Sequence, residues 1–185
     1  MTVSAFLDKK LNRRFRTYDL NGDGFVDKSD FDEVAHRVNE AFGLDATEPR
    51  AQMFRERLLE VWRTLAELAD GDQDGRISLD EYKSAFADRI LADREAFLAN
   101  YRPLVDAIMD IADTGGDGRI GLEEHIRWYT STMGISPAEA TESFRRLDRD
   151  GNGFITRDEA AQAVVEYYFS DDPQAPGNWI LGKID

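Results

Sequence analysis

Acidic residues recur in this 185-residue chain at a spacing that can hold a divalent cation. Four twelve-residue stretches begin at Asp19 (D-L-N-G-D-G-F-V-D-K-S-D), Asp70 (D-G-D-Q-D-G-R-I-S-L-D-E), Asp113 (D-T-G-G-D-G-R-I-G-L-E-E) and Asp148 (D-R-D-G-N-G-F-I-T-R-D-E). Together they hold 17 acidic and 5 basic residues, whereas the other 137 residues hold 20 and 18. The formal charge of −14 therefore belongs to four loops and not to the surface at large. A hard cation takes about six to eight oxygens, and alternating positions of a tightly curled loop supply them. Glycine at the sixth position (Gly24, Gly75, Gly118, Gly153) permits the positive φ of the sharp turn. The eighth position is Val26, Ile77, Ile120 or Ile155, branched residues suited to a short strand, so the loops are expected to pair in twos.

This is the spacing of the calcium-binding EF-hand, and four repeats with helical flanks make the signal strong. The first loop offers Asp19, Asn21, Asp23, the Phe25 carbonyl, Asp27 and, at the twelfth position, Asp30. Aspartate is one methylene shorter than the usual glutamate, so this site is expected to tolerate Mg²⁺ better than the others. The second loop is complete, with Asp70, Asp72, Asp74, the Arg76 carbonyl, Ser78 and Glu81. So is the fourth, with Asp148, Asp150, Asn152, the Phe154 carbonyl, Thr156 and Glu159. The third keeps Asp113, Asp117, the Arg119 carbonyl and Glu124, but Gly115 and Gly121 remove two side-chain ligands. Two readings of it stay open: a site completed by water, or a cation-free hand kept as strand partner of the fourth. Calcium is expected in the other three.

Helices must position these loops, and the apolar spacing supplies eight. Val3, Leu7, Leu11, Phe15 and Tyr18 precede the first loop, and Phe31, Val34, Ala35 and Val38 follow it. Val61, Trp62, Leu65 and Leu68 lead to the second; Leu104, Ile108 and Met109 lead to the third; Phe144 and Leu147 lead to the fourth. Ser136-Pro137-Ala138-Glu139 reads as a capped helix start, and Thr47-Glu48-Pro49 opens a long helix after Gly43 closes its predecessor. The stretch from 90 is helix-like up to Pro103 and has no Gly/Ser-rich character, which predicts two lobes packed as one body. The expected fold is all-α: hands one and two in residues 1–90, hands three and four in 91–170, and a tail, 171–185, folded back. Two prolines and Gly177 stop any helix in that tail, while Trp179, Ile180 and Leu181 need cover from water.

The composition excludes other chemistries. There is no cysteine, so disulfides, thiolate metal sites and cysteine nucleophiles are out. Two histidines, His36 and His125, are too few for most zinc or haem schemes. No apolar run is long enough to span a membrane, and the start does not read as a secretory signal, which suits the cytosol. The negative charge disfavours nucleic acid and anionic membranes as partners. Paired carboxylates occur only where metal binding already explains them, and no phosphate loop or nucleophile elbow appears, so no enzyme activity is expected.

The four loops, the wide gap between the first two, Asp30 and the D-P-Q-A-P-G-N-W tail together resemble the sarcoplasmic calcium-binding protein family, including its calerythrin-like members. The resemblance implies a compact four-hand fold and a role as a Ca²⁺ (and Mg²⁺) buffer or transporter; a monomer is expected. Two other roles compete. A sensor opens a methionine-rich groove to a protein target; only four methionines are present, and no target is indicated. A carrier holds an apolar ligand between the lobes, for which Trp62, Trp128, Tyr129, Trp179, His36 and His125 are the residues to line a cavity. His125 otherwise reads as a core histidine bonded to a carbonyl or carboxylate.

Overall fold

Four helix-loop-helix units follow one another along the chain. Helices α1 (Ala5–Tyr18) and α2 (Lys28–Phe42) flank the first loop, and α3 (Pro49–Ala69) and α4 (Leu79–Ala85) the second. The third lies between α5 (Arg94–Ala112) and α6 (Leu122–Met133), the fourth between α7 (Pro137–Leu147) and α8 (Arg157–Phe169). The structure is a computed structural model that describes residues 4–184, so Val3, expected at the start of the first helix, lies outside the described residues. Strand β1 (Phe25–Val26) pairs antiparallel with β2 (Ile77–Ser78), and β3 (Ile120–Gly121) with β4 (Phe154–Ile155). The eighth-position residues meet in register, Val26 opposite Ile77 and Ile120 opposite Ile155, and all four are buried. The hands are therefore joined in two pairs. Among the described residues no helix is long and apolar enough to cross a membrane.

Local chemistry sets the boundaries. Ser136 Oγ accepts the Glu139 N–H at 3.2 Å with Pro137 in the first helical position of α7. Gly43 ends α2 in the left-handed region at φ 64°, and Pro49 opens α3. Pro103 differs from expectation: it does not separate two segments but sits inside α5. A proline within a helix costs about 3 kcal/mol through its missing N–H and its ring. Phe97, Leu104, Val105, Met109 and Ile111 of the same helix are all buried, and each such side chain contributes about 1.5–3 kcal/mol. Burial wins, and the helix runs on.

One hydrophobic cluster extends through all four hands. Phe54 of α3 meets Trp128 of α6 edge-on at 5.7 Å and carries it from one pair to the other, while Phe97 of α5 meets Tyr168 of α8 at 4.8 Å within the second pair. Phe86, in the π-helical turn (Phe86–Ile90) that continues α4, stacks on Tyr168 at 5.7 Å.

The last residues close over α7 and α8 through a 3₁₀ turn, Pro176–Trp179. Tyr129 Oη donates to the Ile180 carbonyl at 2.8 Å and Arg13 Nε to that of Leu181 at 2.8 Å. Ser143 Oγ donates to the Trp179 carbonyl at 2.9 Å. That hydroxyl's hydrogen is thereby committed, so His125 Nε2, 3.3 Å away, is the donor to Ser143 Oγ. His125 thus meets the Ser143 hydroxyl as well as the backbone of Ala140, the kind of carbonyl partner that its core position suggested. The ring is buried, stacks on Tyr129 at 4.0 Å, and is pushed by burial down to about 3.

A Cβ at Gly177 would lie 2.5 Å from the Ala163 carbonyl oxygen and 2.6 Å from Glu166 Cβ. Gly177→Ala is expected to destabilise the protein by about 1–3 kcal/mol in urea unfolding. For His125, the folded state refuses a proton that the unfolded chain takes up below about pH 6.5, so its share of stability is full above that pH and lost as pH falls. Between pH 7.5 and 5 the natural protein should lose about 2 kcal/mol more than His125→Gln, read from urea midpoints.

Candidate metal centres

Each loop is wired by its own backbone in the same way. The first-position aspartate accepts the N–H of the sixth-position glycine: Asp19 from Gly24 at 3.0 Å, Asp70 from Gly75 at 3.1 Å, Asp113 from Gly118 at 2.7 Å and Asp148 from Gly153 at 2.9 Å. Those glycines have φ of 82° to 86°, which brings the N–H round to the carboxylate. The fifth position accepts from the seventh, in the pairs Asp23–Phe25, Asp74–Arg76, Asp117–Arg119 and Asn152–Phe154 at 2.8–3.0 Å. Phe25 and Phe154 open β1 and β4, while Arg76 and Arg119 immediately precede β2 and β3.

The twelfth position bridges loop start and exit helix. One carboxylate oxygen accepts the second-position N–H: Asp30 from Leu20 at 3.2 Å, Glu81 from Gly71 at 3.2 Å, Glu124 from Thr114 at 2.7 Å and Glu159 from Arg149 at 2.9 Å. The other accepts the ninth-position N–H, of Asp27, Ser78, Gly121 and Thr156, at 2.9 Å in every loop. The second bond is half of a helix capping box, so the residue type that suits a cation also starts the helix.

Within this shared frame the loops differ. Asp70, Asp72 and Asp74 each bring a carboxylate oxygen within 4.8 Å of the others, as do Asp148, Asp150 and Glu159. In the second loop Asp70 Oδ1 is buried and has no hydrogen-bond partner among the described residues, a negatively charged oxygen that a cation would satisfy. The Ser78 N–H and hydroxyl hold the Glu81 carboxyl below its ordinary range. At Glu159, burial pushes upward but the bonds from Thr156 and Arg149 outweigh it, so that carboxyl too stays low and ionised. Asn152 completes the fourth turn, its amide donating to Asp150 Oδ2 at 2.9 Å.

No group of three carboxylates draws together as tightly in the first or third loop among the described residues. In the first, Asp27 Oδ1 is taken by the Ser29 N–H and hydroxyl, both at 2.6 Å. Asn21 Oδ1 accepts the Asp23 N–H at 2.8 Å. The short arm of Asp30 is buried, and burial first, then the charges of Asp27 and Asp19, raises its carboxyl. In the third loop Glu124 Oε1 already accepts three donors, the Thr114 N–H and hydroxyl and the Gly115 N–H. Arg119 Nη2 donates to Asp117 Oδ2 at 2.9 Å, which lowers that carboxyl and supplies a competing cation from the chain itself.

Of the residues expected to line an apolar cavity, His125, Trp128 and Tyr129 do so, in a space of about 120 Å³. Trp62 packs on Phe31, Trp179 lies under the Arg146 guanidinium, and His36 is exposed beside Glu40; none of the three lines it. Arg14 does, a residue the sequence reading passed over. It lies on the stripe of Leu7, Leu11, Phe15 and Tyr18, and a charge at that register was the available signal.

Comparison with known proteins agrees with this geometry. A family model described as an EF-hand domain pair matches residues 8–87, and one described as an EF hand matches 141–160; the third loop lies outside both. Calerythrin of Saccharopolyspora erythraea is 30% identical over 168 residues, covering 90% of this chain and 94% of that protein. The fold superposes with a TM-score of 0.79 on a calcium-binding protein of Streptomyces coelicolor, from work on prokaryotic calcium-mediated regulation, at 30% identity over 89% of this chain and 98% of that one. The calcium-loaded apo form of a coelenterazine-binding protein from Renilla muelleri matches with a TM-score of 0.73 at 26% identity, over 98% of this chain and 99% of that one. With two sets of converging carboxylates, two antiparallel loop pairs and a near full-length relative, the chain belongs to the EF-hand superfamily, within the family of calerythrin and the sarcoplasmic calcium-binding proteins.

Proposed function

We propose that the protein is a cytosolic, monomeric Ca²⁺ buffer or transporter that takes the ion in the first, second and fourth loops and does no catalysis. The observation that carries the reading is the donor set of the second loop: three carboxylates within 4.8 Å and the partnerless Asp70 Oδ1, all oxygen, with no nitrogen or sulfur ligand to favour a softer metal. Residues Asp70, Asp72, Asp74, Ser78 and Glu81 would hold the ion there, with Asp148, Asp150, Asn152, Thr156 and Glu159 in the fourth loop. Three dications would offset half of the net charge of −12 that the loops carry. The first loop, through Asp19, Asn21, Asp23, Asp27 and the short Asp30, is the one suited to Mg²⁺. The third serves as strand partner of the fourth, because Gly115 and Gly121 supply no ligand and Arg119 occupies Asp117.

Residues 1–90 and 91–170 act as the two paired units, with 171–185 as the closing tail. A buffer reading is favoured over a sensor because the tail already covers α7 and α8, and its carbonyls are bonded by Ser143, Tyr129 and Arg13. Calorimetric titration tests the proposal. Three Ca²⁺ are expected in the natural protein and two in Glu81→Gln or Glu159→Gln, with no ion lost in Glu124→Gln. With Mg²⁺ present, the weakened site should be the one that Asp30→Glu restores. Retention of three ions by Glu81→Gln, or loss of one from Glu124→Gln, would contradict it.

A further inference from the structure

Arg14 is a buried cation without an anion. Its side chain reaches into the body from α1, and the residue is 8% exposed. Nη2 donates to Tyr18 Oη at 2.6 Å and to Tyr101 Oη, while Nε is buried and has no partner among the described residues. No carboxylate lies within ion-pair distance of it among the described residues. Burial holds the Tyr18 and Tyr101 phenols above their ordinary range, so they stay neutral and supply no charge. A third buried hydroxyl that senses the same guanidinium, Tyr82 Oη, is without a partner among the described residues. The neighbourhood thus offers neutral hydroxyls and no counter-charge, a costly state for a group that is always charged.

Arg14 also lines the cavity of about 120 Å³, whose other walls are mostly apolar, among them Val105, Ile108, Met109, Trp128 and Met133, with His125, Tyr129 and Tyr101 beside them. A cavity of about 150 Å³ in another protein holds one benzene ring, which sets the scale of an occupant here. Tyr101 also lines a surface groove of about 600 Å³ between α3 and α5, so the cavity and the groove share this side chain. We propose that the cavity binds a small carboxylate with an apolar body, of the size of one ring or a short chain, and that Arg14 holds its charged end. A neutral ligand or water would leave the guanidinium without a counter-charge, whereas a carboxylate matches its fork. This site is separate from the loops and does not rest on their cation.

The test uses the full chain loaded with calcium, titrated with benzoate and with benzyl alcohol, its neutral counterpart. Calorimetry and the methyl resonances of Met109 and Met133 report binding. A single saturable benzoate site that shifts both methyls is expected, at least about tenfold tighter than that for benzyl alcohol. Arg14→Met should reduce the preference to about twofold or less, and Val105→Phe, which fills the cavity and keeps Arg14, should abolish binding of both probes. Equal affinity for the two probes in the natural protein would overturn the proposal. So would no saturable binding of benzoate, the outcome of a cavity that holds water only, or shifts that leave both methionines unmoved.

Discussion

The double hydrogen bond of the twelfth-position carboxylate is the constraint on which the rest of the molecule depends. It ties the second-position N–H at the start of each loop to the ninth-position N–H that begins the next helix, at Asp30, Glu81, Glu124 and Glu159 alike. Backbone geometry thereby draws acidic side chains together before any ion arrives. Two unit charges about 4 Å apart repel by about 1 kcal/mol in water and about 4 kcal/mol near a protein surface. The fold bears that repulsion in its second and fourth loops, where three carboxylates converge, and a divalent cation converts it into attraction. In the third loop the same frame exists without the crowd, and an arginine does the neutralising.

The loops are coupled to the body through a small number of polar links. Arg149, second in the fourth loop, donates to Glu166 Oε2 at 2.6 Å, and the same oxygen accepts the Gly177 N–H at 2.8 Å. Fourth loop, α8 and tail are thus fastened at one carboxylate. Lys10 of α1, fully buried, donates to the Ser170 carbonyl at 2.6 Å and to that of Glu166 at 3.3 Å, where the C-terminus of α8 favours a cation. Tyr167 Oη returns a bond to the Lys10 carbonyl at 2.6 Å. First helix and last helix are locked, and the aromatic contacts of Phe97, Phe86 and Tyr168 fill the space beside them.

The loop frame was legible in the sequence because it is local: twelve residues hold the turn glycine and the branched residue that pairs the loops, whereas the bonds of Ser29 to Asp27 and of Arg119 to Asp117 were not read from it. Strand register followed from Val26, Ile77, Ile120 and Ile155 for the same reason. Features set by distant contacts were not legible. Pro103 read as a boundary, yet burial of the residues on both sides of it keeps α5 continuous. Arg14 was not singled out in the sequence; only the fold shows that Tyr101, 87 positions later, receives its hydrogen bond. His125 looked like a core residue and is one, but that both its partners, the Ala140 backbone and a Ser143 hydroxyl tied in turn to the tail, come from another helix could not be read locally.

Thermal unfolding of the natural protein in excess calcium and in excess chelator tests the central claim most directly. A ligand that binds only the folded form adds about 4 kcal/mol per site at a thousandfold excess over Kd, so crowded carboxylates that need a cation require a large fall in Tm on chelation. A Tm that is the same in chelator and in calcium would show that the backbone alone holds these charges together, and would contradict the account.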